Sequence, residues 1–335
     1  MPEQEKTNEQ PLVFLASSPH IASPVTTQRL MLNVIIALAP VSIFGVVIFG
    51  IPALLNIVVA VVSAMGAESL FRRLLKRDVR FTDGSAAVTG LLLALVLPPT
   101  TPAWITAMGA IFAVVVAKEF FGGLGANIFN PALAGRAFLL MSFPAAITTW
   151  ETPIRLIDSS INTIVDELSG ATALALLEEE GLLYTEEYWW ALRSLVIGNH
   201  SGTIGETSVI LLFAAFVFLL VTKTIDWRAP VGMLVATFVT SLALGMDAVL
   251  GTLTGGVFFA AIFMVTDYVT SPLTDKGKLI FGLGAGVITV LIRKFGDFPE
   301  GVTYGILVMN AITPFLNRLI QKKYGFVPKA KGAGK

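Results

Sequence analysis

The chain contains no cysteine, only two histidines and few charges for its length. Without thiolates it cannot hold an iron–sulfur cluster, and His20 and His200 lie too far apart in sequence to suggest a shared metal site. Any redox group it carries is therefore organic or borrowed from another chain. Charged residues make up 14% of its 335 positions, against roughly 25% in soluble domains. Lys plus Arg balance Asp plus Glu at 23 each, and no basic face accumulates outside a short C-terminal tail, which excludes nucleic acid as a partner. Apolar residues take the place of charge: 55% of the chain is hydrophobic and the mean hydropathy is +0.78. That much apolar surface needs lipid. Met1 to Gln10 carries Glu3, Glu5, Lys6 and Glu9 and lacks the basic-then-apolar order of a cleaved signal, so this segment is expected to be retained and the first helix to direct insertion.

Apolar runs bounded by charge, Pro or Gly recur along the chain, most of them near the twenty residues needed to cross a bilayer. They predict helices near Leu30–Phe49, Ala53–Leu70, Ser85–Leu97, Ala103–Ala117, Pro131–Phe143, Ser208–Val221, Val231–Gly245, Val249–Thr266, Leu279–Ile292 and Thr303–Ile320. The expected fold is thus an all-α polytopic membrane protein of about ten transmembrane helices. Arg72, Arg73, Lys76, Arg77 and Arg80 follow the second span, and Arg318, Lys322, Lys323, Lys329, Lys331 and Lys335 follow the last. The positive-inside rule puts both groups, and hence both termini, in the cytoplasm. The one long hydrophilic stretch, Trp150 to Thr207, holds ten acidic residues against Arg155 and Arg193. It follows an odd-numbered span and so is expected outside, in agreement with its charge. The domain reading is a cytoplasmic segment 1–28, a first transmembrane half 29–149, an extracytoplasmic loop 150–207, a second half 208–320 and a basic cytoplasmic tail 321–335.

Ser85–Leu97 and Pro131–Phe143 are short for a full crossing and start beside Asp83-Gly84-Ser85 and Gly122-Gly123-Leu124-Gly125-Ala126-Asn127. Short, interrupted helices line sites in transporter folds. Asn130-Pro131-Ala132 is echoed by Asn310-Ala311 with Pro314, and Thr82-Asp83-Gly84 more loosely by Thr266-Asp267-Tyr268. These echoes suggest an inverted five-plus-five repeat, although Gly, Asn and Pro recur in many membrane proteins.

The most informative string is Asp166-Glu167-Leu168-Ser169-Gly170-Ala171-Thr172, followed by the helix-prone run from Ala173 to Glu178. Gly170 and Ala171 leave the backbone open to approach, and a hydroxyl where a helix opens faces unpaired N–H groups that favour a phosphate. Taken alone, the string reads first as a surface helix capped by Ser169 or Thr172.

In its setting the string resembles the recognition sequence of flavin transferases, Asp-x-x-Ser-Gly-Ala-Thr, in which Asp166, Ser169, Gly170 and Ala171 flank the acceptor Thr172. In an external loop of a ten-span protein, that motif is similar to the family comprising the D subunits of Rnf complexes and the B subunits of the sodium-pumping NADH:quinone oxidoreductase. Ser18-Pro19-His20, Asp83-Gly84-Ser85 through Leu97-Pro98-Pro99, Asn127-Ile128-Phe129-Asn130-Pro131-Ala132 through Gly135-Arg136-Ala137-Phe138, and Thr266-Asp267 through Thr270-Ser271-Pro272 resemble the same family. The likeness covers nearly the whole chain. Its length matches the Rnf branch, since the quinone-reducing relative carries a longer N-terminal extension. Tyr268 stands where the family pattern has proline.

The resemblance implies a multi-pass subunit of a prokaryotic cell-membrane complex that relays electrons between ferredoxin and NAD while sodium ions or protons are moved outward. It implies FMN joined to Thr172 through its phosphate by a flavin transferase, and a second, noncovalent flavin, riboflavin, within the membrane domain. Expected partners are the other Rnf subunits (A, B, C, E and G) and lipid. Asn127, Asn130, Arg136, Asp83 and Asp267, polar groups at or near membrane depth, mark the expected neighbourhood of the second flavin or of an ion path. Lys118 and Glu119 read as boundary residues. Tyr184, Tyr188, Trp189 and Trp190 fit flavin stacking, a partner contact or an interfacial aromatic belt, and stay outside the site. No Gly-x-Gly-x-x-Gly follows a strand, so NAD is expected to bind elsewhere. The competing reading is a solute channel or secondary transporter with no redox role.

Overall fold

The computed structural model describes residues 26–78, 83–149, 186–198, 200, 202–206, 208–254, 256–296 and 301–320. Among these, every regular element is helical. The elements are α1 (Thr27–Phe49), α2 (Ile51–Leu74), α3 (Ser85–Leu95), α4 (Ala103–Val114) with a π-turn at Val115–Glu119, α5 (Pro131–Ser142), α6 (Pro144–Ile147), α7 (Glu186–Ile197), α8 (Val209–Val221), α9 (Arg228–Ala243), α10 (Ala248–Leu253), α11 (Val257–Phe263), α12 (Asp275–Phe295) and α13 (Val302–Ile320). Two of these, α1 and α2, are long and apolar enough to cross a membrane alone, with mean hydropathies of 2.5 and 1.9; α3, α8 and α9 are shorter apolar helices.

Helix boundaries follow local chemistry. The Thr26 side chain accepts the Arg29 amide at the start of α1, and Gly50, at φ 72°, makes the sharp joint into α2 with Pro52 in its first turn. Asp247 caps α10 and Thr274 caps α12. One expectation is corrected here. The apolar run Val249–Thr266 reads as a single helix, but it is broken into α10 and α11, because Thr254 turns extended and Gly256 takes a left-handed φ of 69°. Gly84, at φ 71°, opens α3 in the same way.

The two halves share a packing order. In the first, α2 lies on α3 and α4, and α4 on α5; in the second, α9 lies on α10, α11 and α12, and α12 on α13. Helix α1 packs on α8, and α5 on α13. Close approach is set by glycine: a Cβ at Gly282 would collide with the Ala229 carbonyl, and one at Gly90 would stand 2.6 Å from that of Ala60.

Hydrogen bonds show which helix ends lie together. Asn33 of α1 donates to Thr224 after α8 at 2.9 Å, Lys278 of α12 reaches Asp226 before α9 at 3.1 Å, and the Leu273 amide reaches Asn317 of α13 at 3.0 Å. The opposite end is closed by the segment before α8, where the Ile204 and Gly205 amides donate to the Leu97 and Leu95 carbonyls at the end of α3, at 3.2 and 2.7 Å.

Candidate functional site

The Asn33 end holds the densest set of buried polar groups. Asp83 precedes α3 and accepts both the Ser85 amide and the Ser85 hydroxyl at 2.9 Å, fixing the helix start. Across from it, α4 widens into the π-turn, which carries Lys118 and Glu119 into the bundle; each is 1% exposed. Lys118 Nζ lies 2.7 Å from Glu68 Oε1 and 2.6 Å from Ser85 Oγ. Arg72, one helical turn after Glu68 on α2, donates to Glu119 Oε1 through Nε at 3.2 Å and Nη2 at 3.0 Å. Two consecutive residues of the π-turn thus meet two residues four apart on α2. The Gly123 backbone, at φ 94°, runs so close that a Cβ would stand 2.6 Å from the Arg72 guanidinium.

Lys118 and Ser85 form part of the wall of a partly open cavity. Val88, Leu92, Leu219 and Phe263 supply apolar wall; Asn127, Asn130, Thr266, Asp267 and Tyr268 bring polar groups. Asn130 is chiefly a helix cap: its Oδ1 accepts the Ala132 and Leu133 amides and its amide group reaches the Met264 carbonyl at 3.4 Å. The Asn130 backbone N–H donates to Asn310 Oδ1 at 3.0 Å, and Asn310 and Thr313 both donate to the Thr270 carbonyl. The side chain of Asn127 donates to the Phe129 carbonyl at 3.1 Å, while its Oδ1 is buried with no protein partner among the described residues.

Asp267 shapes the other wall. Its carboxylate accepts Thr270 Oγ1 at 2.9 Å and the Val269 amide at 3.4 Å, an Asx-type turn that forms with tyrosine at 268. A second hollow behind Tyr268 is lined by Asp226, Ser271 and Lys278. Outside the apolar helices, burial alone would raise the Asp226 carboxyl, but the Arg228 amide, the Lys278 ammonium and the Arg228 guanidinium outweigh it and hold the group below its usual range.

The whole-chain pattern has known counterparts. The family model for NQR2, RnfD and RnfE matches residues 14–325. The chain belongs to this family. Its relatives include the D subunit of the proton-translocating ferredoxin:NAD(+) oxidoreductase complex of Clostridium ljungdahlii, 41% identical over 93% of this chain and 96% of the relative. The D subunit of the Na(+)-translocating ferredoxin:NAD(+) oxidoreductase complex of Acetobacterium woodii is 38% identical over 96% and 98%. The D subunit of the ion-translocating oxidoreductase complex of Stutzerimonas stutzeri is 36% identical over 90% and 92%.

For this member of the NQR2, RnfD and RnfE family, the structure brings together three of the residues singled out from sequence, Asn127, Asn130 and Asp267, on one cavity. Asp83 stands just behind that wall, through its bonds to Ser85. Arg136 is 3% exposed on α5 and does not line the cavity. Asp166, Ser169, Gly170, Ala171 and Thr172 lie outside the described residues. Tyr188 is a tether: 3% exposed, it donates to Asp247 at 3.1 Å and packs with Leu195 and Leu250. Sequence reasoning missed Lys118 and Glu68. Lys118 and Glu119, read from sequence as boundary residues, are buried within the bundle, because the π-turn directs them toward opposite charges on α2. Two adjacent ionisable residues in an apolar run, each with an opposite charge in an earlier span, are the signal that could have found them.

Proposed function

We propose that this chain is the D subunit of an Rnf-type complex and carries two flavins, one toward each end of the bundle. The complex assignment is carried by the near-full-length similarity to the D subunits of two ferredoxin:NAD(+) oxidoreductase complexes. In that setting the chain is one subunit of an ion-translocating oxidoreductase and does not act alone.

In this reading the helices make ten crossings arranged as an inverted five-plus-five repeat. Both termini and the Lys118 end face the cytoplasm, and 150–207 lies outside. The shared packing order of the halves, the left-handed glycines opening α3 and α11, and the contact between Asn130 and Asn310 support it. FMN is attached through its phosphate to Thr172 by a flavin transferase, and the neighbouring Rnf subunits (A, B, C, E and G) complete the electron path.

The cavity is the seat of a noncovalent riboflavin, and the residues present fit it. A bound flavin supplies one- and two-electron transfer. Val88, Leu92, Leu219 and Phe263 offer apolar faces for a flat ring, and the unpartnered Asn127 Oδ1 offers an acceptor for a ring N–H. Lys118, the basic residue on the described wall, is already held by Glu68, which leaves it poorly placed to neutralise a phosphate and favours riboflavin over FMN.

The test uses complex purified from cells that also make the flavin transferase. Expected are in-gel flavin fluorescence at this chain's mass under denaturing conditions and free riboflavin released into the supernatant. Thr172→Ala abolishes the first signal and keeps the second. A solute channel would give neither, and wild-type protein lacking both would sink the reading. Dependence of transport on sodium in vesicles identifies the coupling ion, since the two relatives are named for different ions.

A further inference from the structure

Lys118 is among the largest fully buried side chains of the described residues, and it stands on a cavity wall. Burying an ammonium costs several kcal/mol even when it is paired, and an apolar residue of similar length would fill the same space at less cost. Its neighbours explain how the charge is tolerated but not why it is there: Glu68 Oε1 at 2.7 Å balances it, and Ser85 Oγ at 2.6 Å takes a second N–H while itself bonding to Asp83. Helix α4 also leaves regular α geometry to deliver it, through a five-residue π-turn of the kind that often marks a functional position. Around the ammonium the wall is mostly aliphatic and aromatic, so its field reaches a ligand with little screening.

We propose that the Lys118–Glu68 pair sets the midpoint potential of the redox group in this cavity, with Lys118 as a positioning residue for charge: the ammonium favours the reduced ligand, and the Glu68 carboxylate tempers it. This rests on the reading that the cavity holds a noncovalent flavin. Reduction adds negative charge, or draws in a proton to cancel it, next to an ammonium that is closer to the cavity than its carboxylate partner. Glu68 does not line the cavity, whereas Lys118 does. Removing the cation therefore makes reduction harder, and removing the anion makes it easier. The Arg72–Glu119 pair, also absent from the cavity wall, is the internal control.

The experiment is a potentiometric titration of the releasable flavin in purified complex, with flavin content measured on the same samples. Lys118→Met is expected to shift the oxidised-to-reduced ratio at fixed potential at least tenfold toward the oxidised form, about 59 mV for a one-electron couple. Glu68→Gln is expected to move the ratio the opposite way, and Lys118→Arg to stay near wild type. The double variant, Lys118→Met with Glu68→Gln, leaves no unpaired charge; it keeps the protein assembled if a single variant does not fold, and its potential returns toward wild type. A merely structural role predicts loss of flavin or shifts of one sign in both single variants. Retained flavin with unmoved potentials, or with both singles moving in the same direction, overturns the proposal. Wild-type complex that releases no flavin overturns instead the reading on which the proposal rests.

Discussion

The two ends of the bundle bury polar groups by different rules. At the Lys118 end the buried groups include ions held in opposite-charge pairs, Lys118 on Glu68 and Arg72 on Glu119. At the other end they are mostly uncharged. The hydroxyls of Thr203, Ser241 and Thr303 are buried with no protein partner among the described residues, in helices and a loop held by backbone hydrogen bonds and close glycine contacts. An orphaned neutral hydroxyl costs about 1–3 kcal/mol and can be carried; an orphaned buried ion costs about 3–5 kcal/mol, a large fraction of a domain's stability. Pairing between helices is therefore obligatory at one end and optional at the other, and the obligatory end is the one with the cavity.

The largest expected effect breaks the obligatory side. Glu119→Gln leaves the Arg72 guanidinium, 5% exposed, without its counter-charge and is expected to lower stability by about 3–5 kcal/mol, read as a large drop in thermal midpoint or yield in detergent. Removing both charges together, with Arg72→Gln added, is expected to recover a good part of the loss.

The opposite end answers to pH. Burial drives the His200 imidazole down to about 4, with the Ser194 backbone pulling slightly the other way, so the folded protein keeps it neutral where the unfolded chain protonates near 6.5. Between those values the unfolded state binds the extra proton. Stability is thus lost as pH falls from about 6.5 toward 4, by at most about 3 kcal/mol, and is unaffected above that window. His200→Gln is expected to flatten the thermal midpoint across the same range; a wild-type midpoint that does not fall there would remove the distinction between a charged and a neutral end.

Smaller effects sharpen the comparison. Asn130→Ala removes the cap of α5 and is expected to cost about 1–2 kcal/mol in thermal unfolding and to weaken retention of the releasable flavin. Asn33→Ala removes one half-buried bond to Thr224 and is expected to cost about 1 kcal/mol without altering flavin content.

Much of this was legible in the sequence, and what was not has a common cause. Gly84 before Ser85 and the Asn-Pro start of α5 announced helix starts because caps and left-handed glycines are local chemistry. Asp267 stood out as a polar group beside an apolar run, and its turn forms because a carboxylate can bond its own backbone whether proline or tyrosine follows. The break at Gly256 was missed because hydropathy does not register one residue's backbone conformation. The burial and pairing of Lys118 were not visible because its partner lies fifty positions away on another helix, and a π-turn leaves no trace in an apolar period. The site was half visible: its asparagines and Asp267 by type, its ion pair only by packing.

The central claim is that the two ends face opposite sides of the membrane, with the cavity inside and the Thr172 loop outside. Because the chain has no cysteine, single introduced thiols report sidedness against an empty background. In intact cells, a membrane-impermeant maleimide is predicted to label Gly181→Cys in the loop and to spare Lys76→Cys beyond α2 until the cells are permeabilised. Labelling of Lys76→Cys in intact cells while Gly181→Cys stays protected would contradict the account.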